Sequence, residues 1–349
     1  MRAGSYIGNG LVARSSMAHV QEPSAAMTVD VRPFEPKDYP AVVRIRNAVD
    51  SEHPTTVEER RHADEEYRGT RYVRRRYIAI DPSTDEVVGE SEYYHLAWAF
   101  APDRYGVWGA VHPDAQGRGL GAFLYDRLER ELLDRGARQL RSSVQDSWPT
   151  SVAFLRRRGF QERARGWESR LDLRTFDMAR FAHRRDPPPG IVVTTLADEM
   201  REDPGAVEKL YDLDCLASLD EPHVDAFTPG SLEMYRHHLL DRPGALPGAI
   251  FLAKDGDAYV GVSGLGGAEA LPDVLYTGFT GVHAEYRQRG IAYALKLRAV
   301  EYGIRHGYRE IRTWNSSLNA PMLGINVGLG FVKQPAWIIF GKDSFEGSR

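Results

Sequence analysis

Cysteine is almost absent from this 349-residue chain, with Cys215 standing alone. A single thiol closes no intrachain disulfide and builds no thiolate zinc site, and such sparing use fits a reducing, cytoplasmic setting. Lysine is nearly as scarce, six residues against 39 arginines, a bias of composition rather than of function. The net charge of -4 offers a polyanion nothing to bind. The run Arg71, Arg74, Arg75, Arg76 reads as a solvated face, so no nucleic-acid partner is expected. No apolar stretch approaches the roughly 18 residues of a membrane span, and no His/Asp/Glu group has metal-ligand spacing. Neither a membrane nor a metal ion is expected. Residues 1–27, rich in Gly, Ser and Ala and without an apolar core of signal-peptide type, read as a disordered leader.

What is present is an internal repeat. The chain is 42% hydrophobic and 27% charged, and its length suits two domains, each with its own core. An ungapped offset of 171 places Val111-His112 on Val282-His283 and Arg118-Gly119 on Arg289-Gly290. It also aligns Leu124 with Leu295, Arg127 with Arg298, Gly136 with Gly307, Arg138 with Arg309, Arg141 with Arg312, and Gly159-Phe160 with Gly330-Phe331. One supersecondary unit therefore occurs twice. Each copy reads as a strand (106–111 or 275–282), a turn, and a helix with apolar residues at helical spacing. Leu120, Phe123, Leu124, Leu128 and Leu132 mark the first helix; Ile291, Ala294, Leu295, Ala299 and Tyr302 mark the second. Gly136 and Gly307 stop these helices, and a second strand follows near 139–144 or 310–315. Residues 177–190 read as the linker between a domain at 28–176 and one at 191–349. Pro187, Pro188 and Pro189 forbid a helix there and favour an extended spacer.

The turns read Gln116-Gly117-Arg118-Gly119-Leu120-Gly121 and Arg287-Gln288-Arg289-Gly290-Ile291-Ala292. A helix start carries unpaired N–H groups and the positive end of the helix dipole, and small residues let a phosphate come close. A nucleoside-triphosphate loop needs Gly-Lys-Ser/Thr at its end, which neither copy has. A dinucleotide fold needs Gly-x-Gly-x-x-Gly in its first βαβ unit and an acid about twenty residues on. Here Gly136 or Gly307 stands at that distance.

On these residues the chain resembles the GNAT N-acetyltransferase superfamily, in its tandem two-domain form, over about residues 28–176 and 188–345. The resemblance is strongest in the second half, in Thr280-Gly281-Val282, Thr313-Trp314-Asn315, Asn319-Ala320-Pro321-Met322 and Asn326 before Gly330-Phe331. It implies an α/β fold of two tandem acyl-CoA N-acyltransferase domains, each a mixed, partly splayed sheet flanked by helices. It further implies acetyl-CoA as co-substrate, with Gly281 and Val282 holding pantetheine, the amides of Arg287, Gln288, Arg289, Gly290, Ile291 and Ala292 holding pyrophosphate, and Asn319 on the coenzyme arm. In the first domain Ala110, Val111, Gln116, Gly117, Arg118, Gly119, Leu120 and Gly121 would serve alike.

Acetyl transfer to an amine requires a free lone pair, which costs roughly 4 kcal/mol at neutral pH for an ordinary alkylamine. It also requires a departing thiolate. Many members of the superfamily protonate that thiolate from a tyrosine four residues before Gly-Phe. Leu155 and Asn326 hold that position here. Leucine donates nothing, and asparagine can hydrogen-bond the sulfur without being an acid. Tyr276 and Tyr293 are the other proton sources, with departure as free thiolate the alternative. Glu92, with Glu90, is the candidate base of the first domain; Asp220, Glu221 and His223 are those of the second. The expectation is transfer to a small-molecule primary amine, the second domain being the active one, in a monomer or homodimer. Non-catalytic acyl-CoA binding or scaffolding, and acetylation of a protein amine, are the alternatives.

Overall fold

A computed structural model describes residues 29–343; the leader expected at 1–27 lies outside them. The first half of the chain runs β1 (Asp30–Pro33), α1 (Tyr39–Val49), α2 (Val57–Glu65), β2 (Arg74–Asp81), β3 (Glu86–Tyr94), β4 (Arg104–Val111), α3 (Leu120–Asp134), β5 (Gln139–Gln145), α4 (Pro149–Arg157) and β6 (Gln161–Asp172). The second half runs β7 (Ile191–Thr195), α5 (Leu196–Glu202), α6 (Ala206–Leu219), α7 (Leu232–Arg236), β8 (Ile250–Asp255), β9 (Ala258–Gly267), β10 (Val274–Val282), α8 (Ile291–Arg305), β11 (Glu310–Ser316), α9 (Ala320–Leu329) and β12 (Val332–Asp343).

The helices form where the apolar spacing puts them. Leu120, Leu124, Leu128 and Leu132 recur every fourth residue and are buried along one stripe of α3. Leu120 and Leu124 pack on Ala79 and Val111. In the second unit Ile291 and Leu295 of α8 meet Ala253, Val260 and Val282, while Leu297 and Val300 meet Leu275 and Ile311. Leu210 and Leu213 of α6 cluster with Tyr235, Leu252 and Val262. Phe123, expected on the apolar stripe, is exposed instead, because it falls one position off the buried i, i+4 row.

The chain packs as two units, and their composition differs from the boundary expected at 177–190. One unit takes the described residues up to Gly166 and then the strand from Pro335; the other is Trp167–Gln334. The first unit has the strand order β1-β2-β3-β4-β5-β12, antiparallel except for the parallel pair β4–β5. Its last strand is antiparallel to β5, with Trp337 opposite Gln145 through to Asp343 opposite Gln139. The second has the order β6-β11-β10-β9-β8-β7, with β10–β11 parallel and β7, β8, β9 and β10 successively antiparallel. Each half of the chain thus lends its last strand to the other unit. No local signal encodes this, because a strand's alternation specifies which face is buried, not which edge it joins.

The segment expected as a linker is not all spacer. Met178–Arg184 is a helical turn capped by Asp177, which accepts from the Ala179 N–H at 2.9 Å. Phe181 is buried beside Leu171 and Leu173 in the core of the second unit. Only the proline-rich remainder lacks helix and strand. No helix among the described residues is long and apolar enough to cross a membrane.

Trp337 is 1% exposed and meets Trp148 edge-on at 5.3 Å, both within the first unit. Trp337→Ala should cost about 3–5 kcal/mol of stability. Hydrogen exchange should show the loss in β5, although residue 337 is far from β5 in sequence; unchanged protection there would overturn the strand assignment.

Candidate functional site

Both sheets open at the same place. The parallel pairing of β10 with β11 runs Val274–Glu310, Leu275–Ile311, Tyr276–Arg312 and stops, while β10 continues to Val282. In the first unit β4 and β5 pair from Arg104–Gln139 to Gly106–Arg141, and β4 continues to Val111. Each pair therefore splays into a wedge whose edge presents backbone N–H and C=O groups. An extended, amide-bearing ligand can pair with such an edge as an added strand would.

The second wedge has a bulge that the first lacks. The register of β10 on β9 shifts between Thr277 and Thr280, so Gly278 and Phe279 fall out of the ladder; β4 keeps an unbroken register on β3. Bulges re-aim the groups beside them. Gly281 follows the bulge, and a Cβ there would lie 2.4 Å from the Phe279 ring and 2.9 Å from the Ala217 side chain. Any larger residue would require Phe279 and Ala217 to shift.

Val282 and Val111 lead into the two loops. Gly290 and Gly119 cap α8 and α3 with φ of 84° and 83°, preceded by Gln288 at 61° and Gly117 at 78°. Left-handed residues alternating with ordinary ones turn successive N–H groups towards a common centre, a nest for an anion. The amides of Ile291, Ala292, Leu120 and Gly121 belong to first helical turns and have no intrahelical acceptor. A Cβ at Gly290 or Gly119 would meet nothing within 4 Å, so glycine serves the backbone angle and the approach of a ligand. Arg289 and Arg118 lie in the same loops, and the Arg289 Nη2 donates to the Glu285 carbonyl at 2.8 Å. The side chains that open the loops brace them instead of reaching outward. Arg287 Nε donates to the Val282 carbonyl at 3.0 Å, and Gln116 Nε2 donates to the Val111 carbonyl at 2.9 Å.

Beyond the last paired rung the two wedges have different walls. In the first, Val144, Trp148 and Leu155 are buried apolar residues, and Ser142 Oγ reaches across from β5 to donate to the Val107 carbonyl at 3.1 Å. Ala110 lies further along the same strand and is buried. At the repeat offset the second unit carries Asn315, Asn319, Asn326 and Thr313. Asn319 caps α9, accepting from the Met322 N–H at 3.2 Å, and donates to Glu221 at 3.3 Å. Asn326 is 1% exposed; its Nδ2 donates to Asn315 Oδ1, and its own Oδ1 has no partner among the described residues. A buried acceptor left unpaired costs about 1–3 kcal/mol unless a water or a ligand supplies a donor.

The remaining candidates disperse. Asp220 bonds Arg287 at 2.8 Å, and His223 Nε2 lies 2.8 Å from the Ser218 carbonyl. Asp220 and Glu221 thus tie the α6–α7 connection to the loop before α8 and to the cap of α9. Burial pushes the Tyr276 hydroxyl up to about 12, 3.5 Å from Arg312. The Tyr293 hydroxyl lies against Gly328 of α9. Glu92 is committed elsewhere. It accepts from Arg76 at 2.9 Å, Arg74 at 3.0 Å and Arg46 at 3.0 Å, and Arg46 also holds Glu90 at 2.8 Å. Burial raises the Glu92 carboxyl, but Arg74, Arg76 and Arg46 outweigh it and hold the group well below the ordinary range. A carboxylate so held is a poor base. Its position on the strand suggests a base in the sequence, where the convergence of Arg46, Arg74 and Arg76 is invisible. Asn315 has no role assigned from sequence; its signal was a polar residue where the first copy has Val144.

A family model described as "Acetyltransferase (GNAT) family" matches residues 42–160 and again 206–324. The chain is 26% identical over 232 residues to a mycothiol acetyltransferase of Nocardioides sp. (strain ATCC BAA-499 / JS614), spanning 63% of this chain and 74% of that protein. Its fold is similar to that of a tandem GNAT protein from the clavulanic acid biosynthesis pathway, at TM-score 0.72 and 17% identity, covering 92% of this chain and 100% of the other. It is also similar to a GCN5-related N-acetyltransferase from Sphaerobacter thermophilus, at TM-score 0.66 and 20% identity, covering 90% and 95%.

Glu92→Gln removes one carboxylate from among three arginines, so it should cost about 3–5 kcal/mol in stability while turnover per folded molecule stays unchanged. A collapse of kcat at unchanged stability would restore Glu92 as a base. Asp64, which bonds Arg76 at 2.9 Å, is raised by burial but brought down to about 2 by Arg74, Arg76 and Arg60. The folded state then binds fewer protons than the unfolded one, so this stabilisation is complete above the ordinary value of 3.8 and is lost as pH falls towards 2. Urea midpoints followed by tryptophan emission should drop across that window, and a flat profile would contradict the ion-pair account.

Proposed function

Because the chain belongs to the acetyltransferase (GNAT) family, we propose that its second unit moves an acetyl group from acetyl-CoA to the primary amine of a small molecule. The observation that carries this reading is the buried Asn326 carbonyl, without a partner among the described residues, against the apolar, Ser142-bridged wedge of the first unit. The pantetheine amides would pair with the free edge of β10 near Gly281 and Val282. The pyrophosphate would lie on the amides of residues 287–292.

The bulge takes Gly278 and Phe279 out of the β9–β10 ladder, and a backbone N–H released there would stabilise the oxyanion formed as the amine attacks the thioester. Asparagine does not protonate the leaving sulfur. Rotating both amides of the Asn315–Asn326 pair preserves their mutual bond and turns an N–H into the wedge in place of the carbonyl. That N–H stabilises a thiolate, whose ordinary pKa near 8.5 lets it leave without full protonation. Asp220 and Glu221 place negative charge beside the loop before α8 and the cap of α9, which favours the approach of a cationic amine. The first unit, with its wedge bridged and Glu92 bound by arginines, supports the fold rather than turnover.

Calorimetric titration with acetyl-CoA tests this. One site is expected, abolished by Gly290→Glu and kept in Gly119→Glu, since each substitution puts a carboxylate into the corresponding nest. Asn326→Leu should lower kcat about tenfold or more, the loss of one hydrogen bond to a charged group, with coenzyme affinity nearly unchanged. Two sites would make both units coenzyme sites. No binding at millimolar coenzyme would overturn the proposal.

A further inference from the structure

The run Arg71, Arg74, Arg75 and Arg76, expected as a solvated face, divides in the folded first unit. Arg71 and Arg75 are exposed, whereas Arg76 is buried and Arg74 largely so. Arg74 and Arg76 join Arg46 of α1 and Arg60 of α2 around Asp64, Glu90 and Glu92. Four guanidiniums thus meet three carboxylates, and one positive charge is left over. Every oxygen of those carboxylates accepts from Arg46, Arg74 or Arg76, and none accepts from Arg60.

Arg60 is the cation without a partner. Its Nε and Nη2 are buried and have no hydrogen-bond acceptor among the described residues. Glu92 Oε1 lies 3.9 Å from Nη2, beyond hydrogen-bond reach. Burial, reinforced by Arg46, Arg74 and Arg76, brings the Arg60 guanidinium down to about 9, and Glu92 offsets only part of this. Trp108, also buried, stands directly across from Glu92 in the β3–β4 ladder, with the Arg46 guanidinium 3.5 Å above its ring. Its indole N–H has no acceptor among the described residues either. Two side chains beside Glu92 therefore bring three buried donor nitrogens and no acceptor, although buried donors in folded proteins are nearly always paired.

We propose that the first unit binds a small monocarboxylate here, its two oxygens accepting from Arg60 Nε and Nη2, with the Trp108 indole N–H as a further donor. Nε and Nη2 are the neighbouring pair on one side of the guanidinium, and their parallel N–H groups match the spacing of a carboxylate. A water molecule would accept a hydrogen bond but leave the charge uncompensated, whereas a monoanion cancels the single excess charge. The Arg60 side chain keeps 15% of its surface exposed, which gives a small anion a way in from solvent. At the repeat offset Glu92 and Trp108 become Ser263 and Phe279, so the site belongs to the first repeat alone. The assignment does not depend on the coenzyme reading of the second unit. It gives the unit without turnover a ligand of its own.

The test is titration of the full chain with carbon-13-labelled sodium acetate, sodium chloride holding the ionic strength constant, followed by broadening of the acetate resonance. Saturable binding is expected, and it should vanish in Arg60→Gln. Arg60→Lys keeps the charge without the fork and should bind acetate about tenfold more weakly or worse, the loss of one hydrogen bond between charged groups. Thermal unfolding of each variant establishes that it is folded; should Arg60→Gln fail to fold, Arg60→Lys carries the test. Absence of saturable binding to the unaltered protein would overturn the proposal and leave the three donors to water. Binding that survives Arg60→Gln, or that Arg60→Lys retains in full, would overturn the assignment to the Arg60 fork. Displacement of acetate by chloride at equal concentration would overturn the carboxylate class.

Discussion

Backbone N–H and C=O groups buried away from water must find partners, and in both sheets of this chain a parallel strand pair gives up its partners after three rungs. The release at Tyr276–Arg312 shapes the whole candidate site of the second unit. It leaves one edge of β10 unpaired up to Val282, and it directs the chain from Val282 into a loop whose left-handed residues face the start of α8. Strand edge and helix start are then consecutive in sequence and adjacent in space. A ligand with amides at one end and phosphates at the other can satisfy both at once. The Arg287 and Gln116 side chains, each bound to the last strand carbonyl, keep that junction from relaxing.

Duplication supplied this arrangement twice, and the copies have diverged in what fills it. Val144, Trp148, Leu155 and the Ser142 hydroxyl occupy the first wedge with apolar packing and one transverse hydrogen bond. Asn315, Asn319 and Asn326 in the second keep polar atoms where a core would exclude them, and one carbonyl goes unpaired. The same divergence affects charge. In the first unit Glu90 and Glu92 sit among Arg46, Arg74 and Arg76, with the Arg46 guanidinium 3.5 Å above the Trp108 ring. Such a network is costly to bury and costly to break, so it fixes the packing of α1 on β2 and β3. It also removes those carboxylates from proton transfer.

Local spacing was enough to read the repeat, the long helices and the glycine loops. A helix stripe depends on residues three and four apart, and a left-handed cap depends on one glycine; both rules operate within a few residues. The resemblance carried by those loops extended the reading to the family, which the match over both halves shows. The identity of the base was not legible. Glu92 stands on a strand at the expected depth, but its proton affinity is decided by Arg46, 46 positions earlier, and by Arg74 and Arg76 on the neighbouring strand.

By itself, then, the sequence determined that two copies of one strand–turn–helix unit exist, and that each ends its strand in a glycine-containing turn. Only the tertiary structure decided that β12 closes the sheet of the first unit and β6 that of the second, because edge pairing joins segments far apart in the chain that share no local signal. It also decided that Asn326 holds a buried carbonyl without a donor among the described residues, and that Arg60 comes to lie among three other arginines without an acceptor. Whether a polar group is paired or a cation unmatched is fixed by what packs around it, and those neighbours come from distant parts of the chain.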